Sequence, residues 1–374
     1  MLLLQAKEQK NLPEAIIDMS KDTKIITIDS NNIDLEKIEY CAQIIKKGGL
    51  VCFPTETVYG LGANAFNSEA VNSIFAAKGR PADNPLIVHI SDMRMLDLVT
   101  DSDGIQREYL DKLSKKFWPG PLTLIAHRDD AIPSNVSCGL DTVGVRYPSH
   151  TIAQALIKAS GVPIAAPSAN LSGKPSPTRA RHVIEDMMGR VDVIIDGGNC
   201  DVGVESTVFD ISGENYTVLR PGAVTLEQIS EVIEAADELD WKKPFDKTGQ
   251  APRSPGLKYR HYAPKAKVLI FEGEHNDVLN KIASRAAEEI NKGLKCGILC
   301  ANEHVKCFDE SKLVILPLGA LNNPMQQAAN LFATLRDFDD LNVDIILSEA
   351  FPVGGAGDAV MNRLYRSAGG NIIK

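Results

Sequence analysis

GGLVCFPTETVYGLGANAFNSEAVNSIFAAKGRPADNPLIVHIS, residues 48–91, is the stretch on which the fold of this chain turns. An apolar strand over 50–53 ends at Pro54 and opens a hydroxyl-rich loop holding Thr55, Thr57, Tyr59, Gly60 and Gly62. A helix over 68–77 follows, then Lys78-Gly79-Arg80-Pro81, then a second strand over 86–90. This β-loop-α-loop-β unit gathers three kinds of chemistry. Gly60 and Gly62 permit close backbone approach, Lys78 and Arg80 carry fixed positive charge, and Thr55, Thr57 and His89 offer neutral hydrogen-bonding groups. Such equipment suits a small anionic ligand.

At 374 residues the chain is too long for one ordinary core and fits two domains. Its 44% hydrophobic and 24% charged residues are those of a soluble globular protein, and no apolar run approaches the roughly 20 residues that span a bilayer. A cytoplasmic protein is expected. The first 22 residues begin with an apolar Met-Leu-Leu-Leu, but no basic segment precedes it and the apolar run is too short for secretion. They read as an extension outside the fold. Cys41, Cys52, Cys138, Cys200, Cys296, Cys300 and Cys307 are odd in number and include no Cys-x-x-Cys pair, so neither a disulfide framework nor a zinc site is supported. A net charge of −9 argues against a broad nucleic-acid face.

Upstream of the key unit, 23–29 reads as a strand and 33–47 as an amphipathic helix with Ile38, Cys41, Ile44 and Ile45 on one face. Gly60 to Ala65 matches the G-x-G-x-x-A dinucleotide pattern, but residues 54–59 separate the glycines from the strand and Asp83 sits in a Pro-bounded loop. A flexible turn feeding a helix is the expectation instead. No P-loop occurs, so a nucleoside triphosphate would have to be held by side chains and strand-end loops. Lys78 and Arg80 are candidates, weighed against cations at a solvated helix C-terminus.

Downstream come a surface helix over 105–117, Trp118 as a core anchor, and strands over 122–127 and 142–148. Arg146 lies on the second of these, otherwise apolar, and must find an anion, either an internal carboxylate or a ligand's. A helix over 151–160 and a strand over 163–166 lead into a polar, Pro-rich loop, 166–178, of the kind that binds ligands at strand ends. Strands over 191–196, 205–210 and 216–219 precede a Thr225-capped helix expected over 226–238. From 267 onward, strands over 268–271, 295–300, 313–317 and 343–347 alternate with helices over 277–292, 324–338 and 358–368, the pattern of a parallel, Rossmann-like sheet. Gly354 to Gly357 reads as a tight strand-to-helix turn rather than an anion site.

PTETVYGLG (54–62), KGRPADNP (78–85), PLIVHI (85–90), FWPGPLTLI (117–125), VGVRYPSH (143–150), APSANLSG (166–173), STVFDI (206–211) and LRPGA (219–223), in this order, resemble the YrdC-like domain of L-threonylcarbamoyladenylate synthases. SPGLKYRHYAP (254–264) resembles the linker of their long, two-domain form, so the resemblance covers roughly 24–374. It implies an α/β protein: a YrdC-like twisted mixed sheet with helices around a concave cavity over 1–238, a linker over 239–265 acting as a lid on the active site, and a smaller Rossmann-like parallel-sheet domain over 266–374.

The implied reaction joins L-threonine, bicarbonate and ATP into threonylcarbamoyl-AMP and pyrophosphate, the first step towards tRNA threonylcarbamoyladenosine. It also implies that the product passes to a tRNA threonylcarbamoyl-transfer complex, with no membrane and no tight nucleic-acid binding. Carried over by motif, Thr57, His89, Arg146, Ser168 and Ser206 would hold threonine. Lys78, Arg80, Asn84, Thr142, Ala166, Ser176, Arg220 and Tyr262 would hold ATP, with Mg²⁺ riding on the phosphates. No covalent nucleophile is expected, because attack on the α-phosphorus needs alignment and charge neutralisation. Two rivals are a non-catalytic nucleotide- or RNA-binding module, which the overall acidity disfavours, and carbamoyl transfer by a larger hydrogenase-maturation-type enzyme, which would need zinc-finger cysteine pairs.

Overall fold

The computed structural model describes residues 21–241 and 261–374. Residues 1–20 and the linker residues 242–260, including Lys258, Tyr259 and Arg260, lie outside the described residues. Two sheets organise the rest. The larger has 11 strands in the order Lys24–Thr27, Val193–Asp196, Val51–Phe53, Gly60–Asn64, Ile164–Ala165, Ile87–His89, Thr142–Arg146, Leu122–His127, Thr207–Asp210, Thr217–Arg220, Asp237–Glu238. Parallel and antiparallel pairs mix along it.

The unit that opened the reading forms as expected at its ends and differs in its middle. Asn67 caps helix Ser68–Lys78 by accepting from the amides of Glu69 and Ala70, and Gly79 closes it at φ 59°. Residues 60–64, expected as a turn, are a strand paired antiparallel with Val51–Phe53 and Ile164–Ala165. The glycines serve close packing: a Cβ on Gly62 would lie 2.7 Å from the Phe53 ring and 2.8 Å from Ile164. The Thr225-capped helix is also shorter than expected, Leu226–Ser230. Beyond it, Asp237–Glu238 pairs with the free edge of Thr217–Arg220 instead of continuing the helix. A helix the sequence reading did not contain, Ala180–Met187, buries His182, Val183 and Met187. Trp118 is a core residue whose indole N–H donates to the Leu122 carbonyl at 2.7 Å.

The smaller sheet is parallel throughout, in the order Val314–Gly319, Cys296–Ala301, Ile345–Glu349, Lys267–Phe271, Ile372–Ile373. Helix His275–Asn291 covers one face with Val278, Ile282 and Ala286 against Leu269, Ile298 and Leu347. Helices Pro324–Asp340 and Ala356–Ala368 cover the other. That second face does not stop at the unit's border, because Val58 and Val204 of the larger unit share a core with Trp241, Tyr262, Phe332 and Val360. Polar contacts reinforce the seam. The Arg336 guanidinium donates to the Pro175 carbonyl at 2.7 Å and to Asp186 at 2.6 Å.

Candidate active site

Strand ends and loops of the larger sheet, together with His261 and Tyr262, enclose a cavity of about 790 Å³. Among the described residues, Lys78, Arg80, Arg146, Lys174 and Arg220 line it against a single carboxylate, Glu205. Every residue predicted to bind ligand lines this cavity except Thr142. Thr142 lines a second cavity of about 280 Å³ with Thr123, Ile125, Leu140 and Val208, which shares Pro85, Leu86 and Ile87 with the first.

Parallel pairing of Ile87–His89 with Thr142–Arg146 sets His89 directly beside Arg146. Burial, then the Arg146 charge, lowers the His89 pKa to about 3, so the ring is neutral, and its Nδ1 has no hydrogen-bond partner. Asn84, 1% exposed, is likewise without partners for its side-chain nitrogen and oxygen. Buried polar groups are normally hydrogen-bonded, so each one left open calls for an explanation, which a ligand in the cavity would supply.

Arg146 is not a lone guanidinium. It forms an ion pair with Glu56 at 2.7 Å, donates to Thr57 Oγ1 at 2.8 Å and to the Gly120 carbonyl at 3.3 Å. Burial pushes the Glu56 carboxyl up, but the charge and hydrogen bonds of Arg146 outweigh it and hold the group below its ordinary value. The internal carboxylate that the sequence left open is thus present, in the acidic residue of PTETVYG. Lys78 is not at a solvated helix end either. It is buried, and its Nζ donates to the carbonyls of Ser168 and Asn170, tying helix Ser68–Lys78 to the 166–178 loop. Burial, then the Arg80 charge, lowers its pKa to about 7. Arg80 donates to the Asn84 carbonyl at 2.8 Å and so shapes the loop carrying Asn84.

On the opposite wall Arg220 donates twice to the Ser206 carbonyl, at 3.1 and 2.8 Å, and the Ser206 hydroxyl meets Thr123 Oγ1 at 2.7 Å. Ser176 Oγ donates to Glu205 Oε1, and Glu205 Oε2 accepts from Arg363 at 3.1 Å. Arg363, fully buried on helix Ala356–Ala368, also donates to the Pro221 and Glu205 carbonyls. Sequence reasoning missed Glu56, Glu205 and Arg363, whereas His261 belongs to the linker expected to cover the site. The linker's described end is held to the site: Ala263 N–H donates to the Gly173 carbonyl at 2.9 Å, and Tyr262 packs on Phe332 with ring centroids 5.0 Å apart.

A cation-rich cavity at the strand ends of a mixed sheet, walled on one side through a parallel-sheet unit, defines the class as an α/β protein whose cavity is equipped for a small, multiply charged anion. Comparison with known proteins narrows that class. A family model described as "Telomere recombination", named for Sua5, YciO and YrdC, matches residues 43–222, and one described as "Threonylcarbamoyl-AMP synthase, C-terminal domain" matches 224–369. Threonylcarbamoyl-AMP synthase of Pyrococcus abyssi is 45% identical over 338 residues, covering 90% of this chain and 96% of that one. The Bacillus subtilis protein of that name is 45% identical over 339 residues, covering 90% and 94%. The solved structure of P. abyssi Sua5 complexed with L-threonine matches with a TM-score of 0.86 at 44% identity, covering 93% of this chain and 98% of that one. The chain belongs to the threonylcarbamoyl-AMP synthase family, and it is an enzyme with that family's two-domain architecture.

Proposed function

We propose that the cavity joins L-threonine, bicarbonate and ATP into threonylcarbamoyl-AMP and pyrophosphate, and that tRNA-modifying threonylcarbamoyl transfer consumes the product. The observation that carries this reading is the pair of buried, unpartnered polar groups, Asn84 and His89 Nδ1, inside a cavity lined by five cations and one carboxylate. Threonine lies at the Arg146 end. A guanidinium has five N–H donors; Gly120 and Thr57 accept from Nε and Nη1 of Arg146, and Nη2 pairs in charge with Glu56, which leaves N–H groups on the terminal nitrogens for the substrate carboxylate. Neutral His89 accepts from the threonine hydroxyl, with Thr57, Ser168 and Ser206 as neighbours.

Lys78, Arg80 and Arg220 face the triphosphate, with Asn84, Ala166, Ser176 and Tyr262 completing its contacts. Thr142, across the shared Pro85, Leu86 and Ile87 wall from the cations, lies on the adenosine side of the bound ATP. Glu205, the only lining carboxylate among the described residues, is committed to Ser176 and Arg363, so magnesium would ride on the phosphates and would supply charge neutralisation there. The threonine amine adds to the bicarbonate carbon with loss of water; a carbamate oxygen then attacks the α-phosphorus and pyrophosphate leaves. No side chain forms a covalent bond, and the gain comes from alignment and fixed positive charge. Catalysis belongs to the unit over 1–238, with 266–374 as its second domain. No described helix is long and apolar enough to cross a membrane.

The test is pyrophosphate release with each substrate omitted in turn. Release should require threonine, bicarbonate and ATP together. Release from ATP alone at an undiminished rate would overturn the reading.

A further inference from the structure

Away from the cavity, three ligating side chains converge at the carboxyl edge of the smaller sheet. His275 is the first residue of helix His275–Asn291, His304 lies in the 3-10 helix Asn302–Cys307, and Glu349 ends strand Ile345–Glu349. One ligating atom from each lies within 4.8 Å of the other two. The two imidazole centroids are 4.2 Å apart, and His304 Nδ1 is 2.9 Å from both carboxylate oxygens of Glu349. The Ala301 backbone N–H also donates to Glu349. His304 and Glu349 are buried while His275 is exposed, so the cluster has a solid floor and an entrance.

Topology explains why these residues meet. Cys296–Ala301 and Ile345–Glu349 are neighbours in the sheet, but the first leads outward to Val314–Gly319 and the second leads the other way to Ile372–Ile373. Diverging connections open the crevice in which parallel sheets hold ligands, and His304 and Glu349 stand on its two sides. None of the three residues lines the catalytic cavity.

We propose that His275, His304 and Glu349 bind one divalent transition-metal ion of the zinc, cobalt(II) or iron(II) class. Two imidazole nitrogens and one carboxylate suit these ions, whereas magnesium and calcium favour all-oxygen sets. Metal bonds are roughly 2.0–2.2 Å; His304 and Glu349 already stand side by side, and the exposed His275 has the freedom to adjust to them. Ala301 N–H keeps the carboxylate oriented, the outer support such sites use. Three protein ligands leave a coordination position for water or a small ligand. The cysteine spacing could not show the site, because none of its ligands is a cysteine.

The test uses the full chain, stripped with chelator and free of nucleotide. Cobalt(II) is titrated and followed by visible absorption, and zinc uptake is measured by equilibrium dialysis. One ion per chain should bind. His275→Ala should lower the affinity at least about 10-fold while its melting temperature without metal stays that of the parent. His304→Ala and Glu349→Gln should also lose uptake, and Cys307→Ser should retain it. No saturable binding, parental affinity in His275→Ala, or loss confined to Cys307→Ser would each overturn the proposal.

Discussion

Arg146 holds the fold together through Glu56, Thr57 and Gly120, and the proposed function gives it the threonine carboxylate as well. Its partner Glu56 is buried with it, and breaking a buried ion pair costs about 3–5 kcal/mol because a charge is stranded. Arg146→Ala should therefore lower stability as well as threonine affinity. Arg146→Met with Glu56→Gln should recover much of the stability in urea unfolding while calorimetry still finds threonine binding lost; recovery of threonine binding would show that Arg146 serves the fold alone. Lys78 yields a proton-linked prediction. Its folded pKa of about 7 lies below the ordinary 10.5, so between those values the unfolded chain holds the extra proton. Stability due to Lys78 rises with pH across that window, and the full cost of charging it is present below about pH 7. Phosphates beside Nζ favour the charged form, so ATP binding near pH 8 should take up a proton. Calorimetry in buffers of different ionisation enthalpy measures this, and equal uptake in Lys78→Met would exclude Lys78 as the acceptor.

At the scale of elements, helix Ala356–Ala368 carries the connection between the second unit and the chemistry. From sequence alone it reads as an ordinary amphipathic helix behind a glycine turn, and the turn is real: Gly354 and Gly355 have φ of 104° and 55°. Nothing in its pattern marks Arg363 as fully buried, since a cation at helical spacing usually faces water. The partner that makes burial tolerable, Glu205, is 158 residues away. Through Glu205 this arginine holds Ser176, a positioning role. Arg363→Met should raise the KM for ATP more than that for threonine. Glu205→Gln, which keeps an acceptor for Ser176, should retain more activity than Arg363→Met. Steady-state kinetics with each substrate varied would show this, and equal effects on both substrates would reduce Arg363 to a structural clamp.

Across the whole molecule the two units are bonded by a shared core, with Val58 and Val204 packed among Tyr262, Phe332 and Val360, and by Arg336 and Arg363 reaching across the seam. Much of this protein is legible in one dimension. Strand and helix periods, caps such as Thr225, the alternation that makes the second sheet parallel, and the ordered motifs that carry the family all depend on neighbours in sequence. The cations that line the cavity could be named for the same reason, since Lys78, Arg80, Arg146 and Arg220 stand where strands and helices end. What a side chain there touches is another matter. That Gly60–Asn64 is a strand pressed on Phe53, that Arg146 meets Glu56, that Lys78 binds backbone carbonyls, that Thr142 opens on the adjoining cavity, and that His275, His304 and Glu349 stand together are products of tertiary packing. Each joins groups from separate segments, and burial in a common low-dielectric interior, which local sequence does not encode, decides which charge pairs with which.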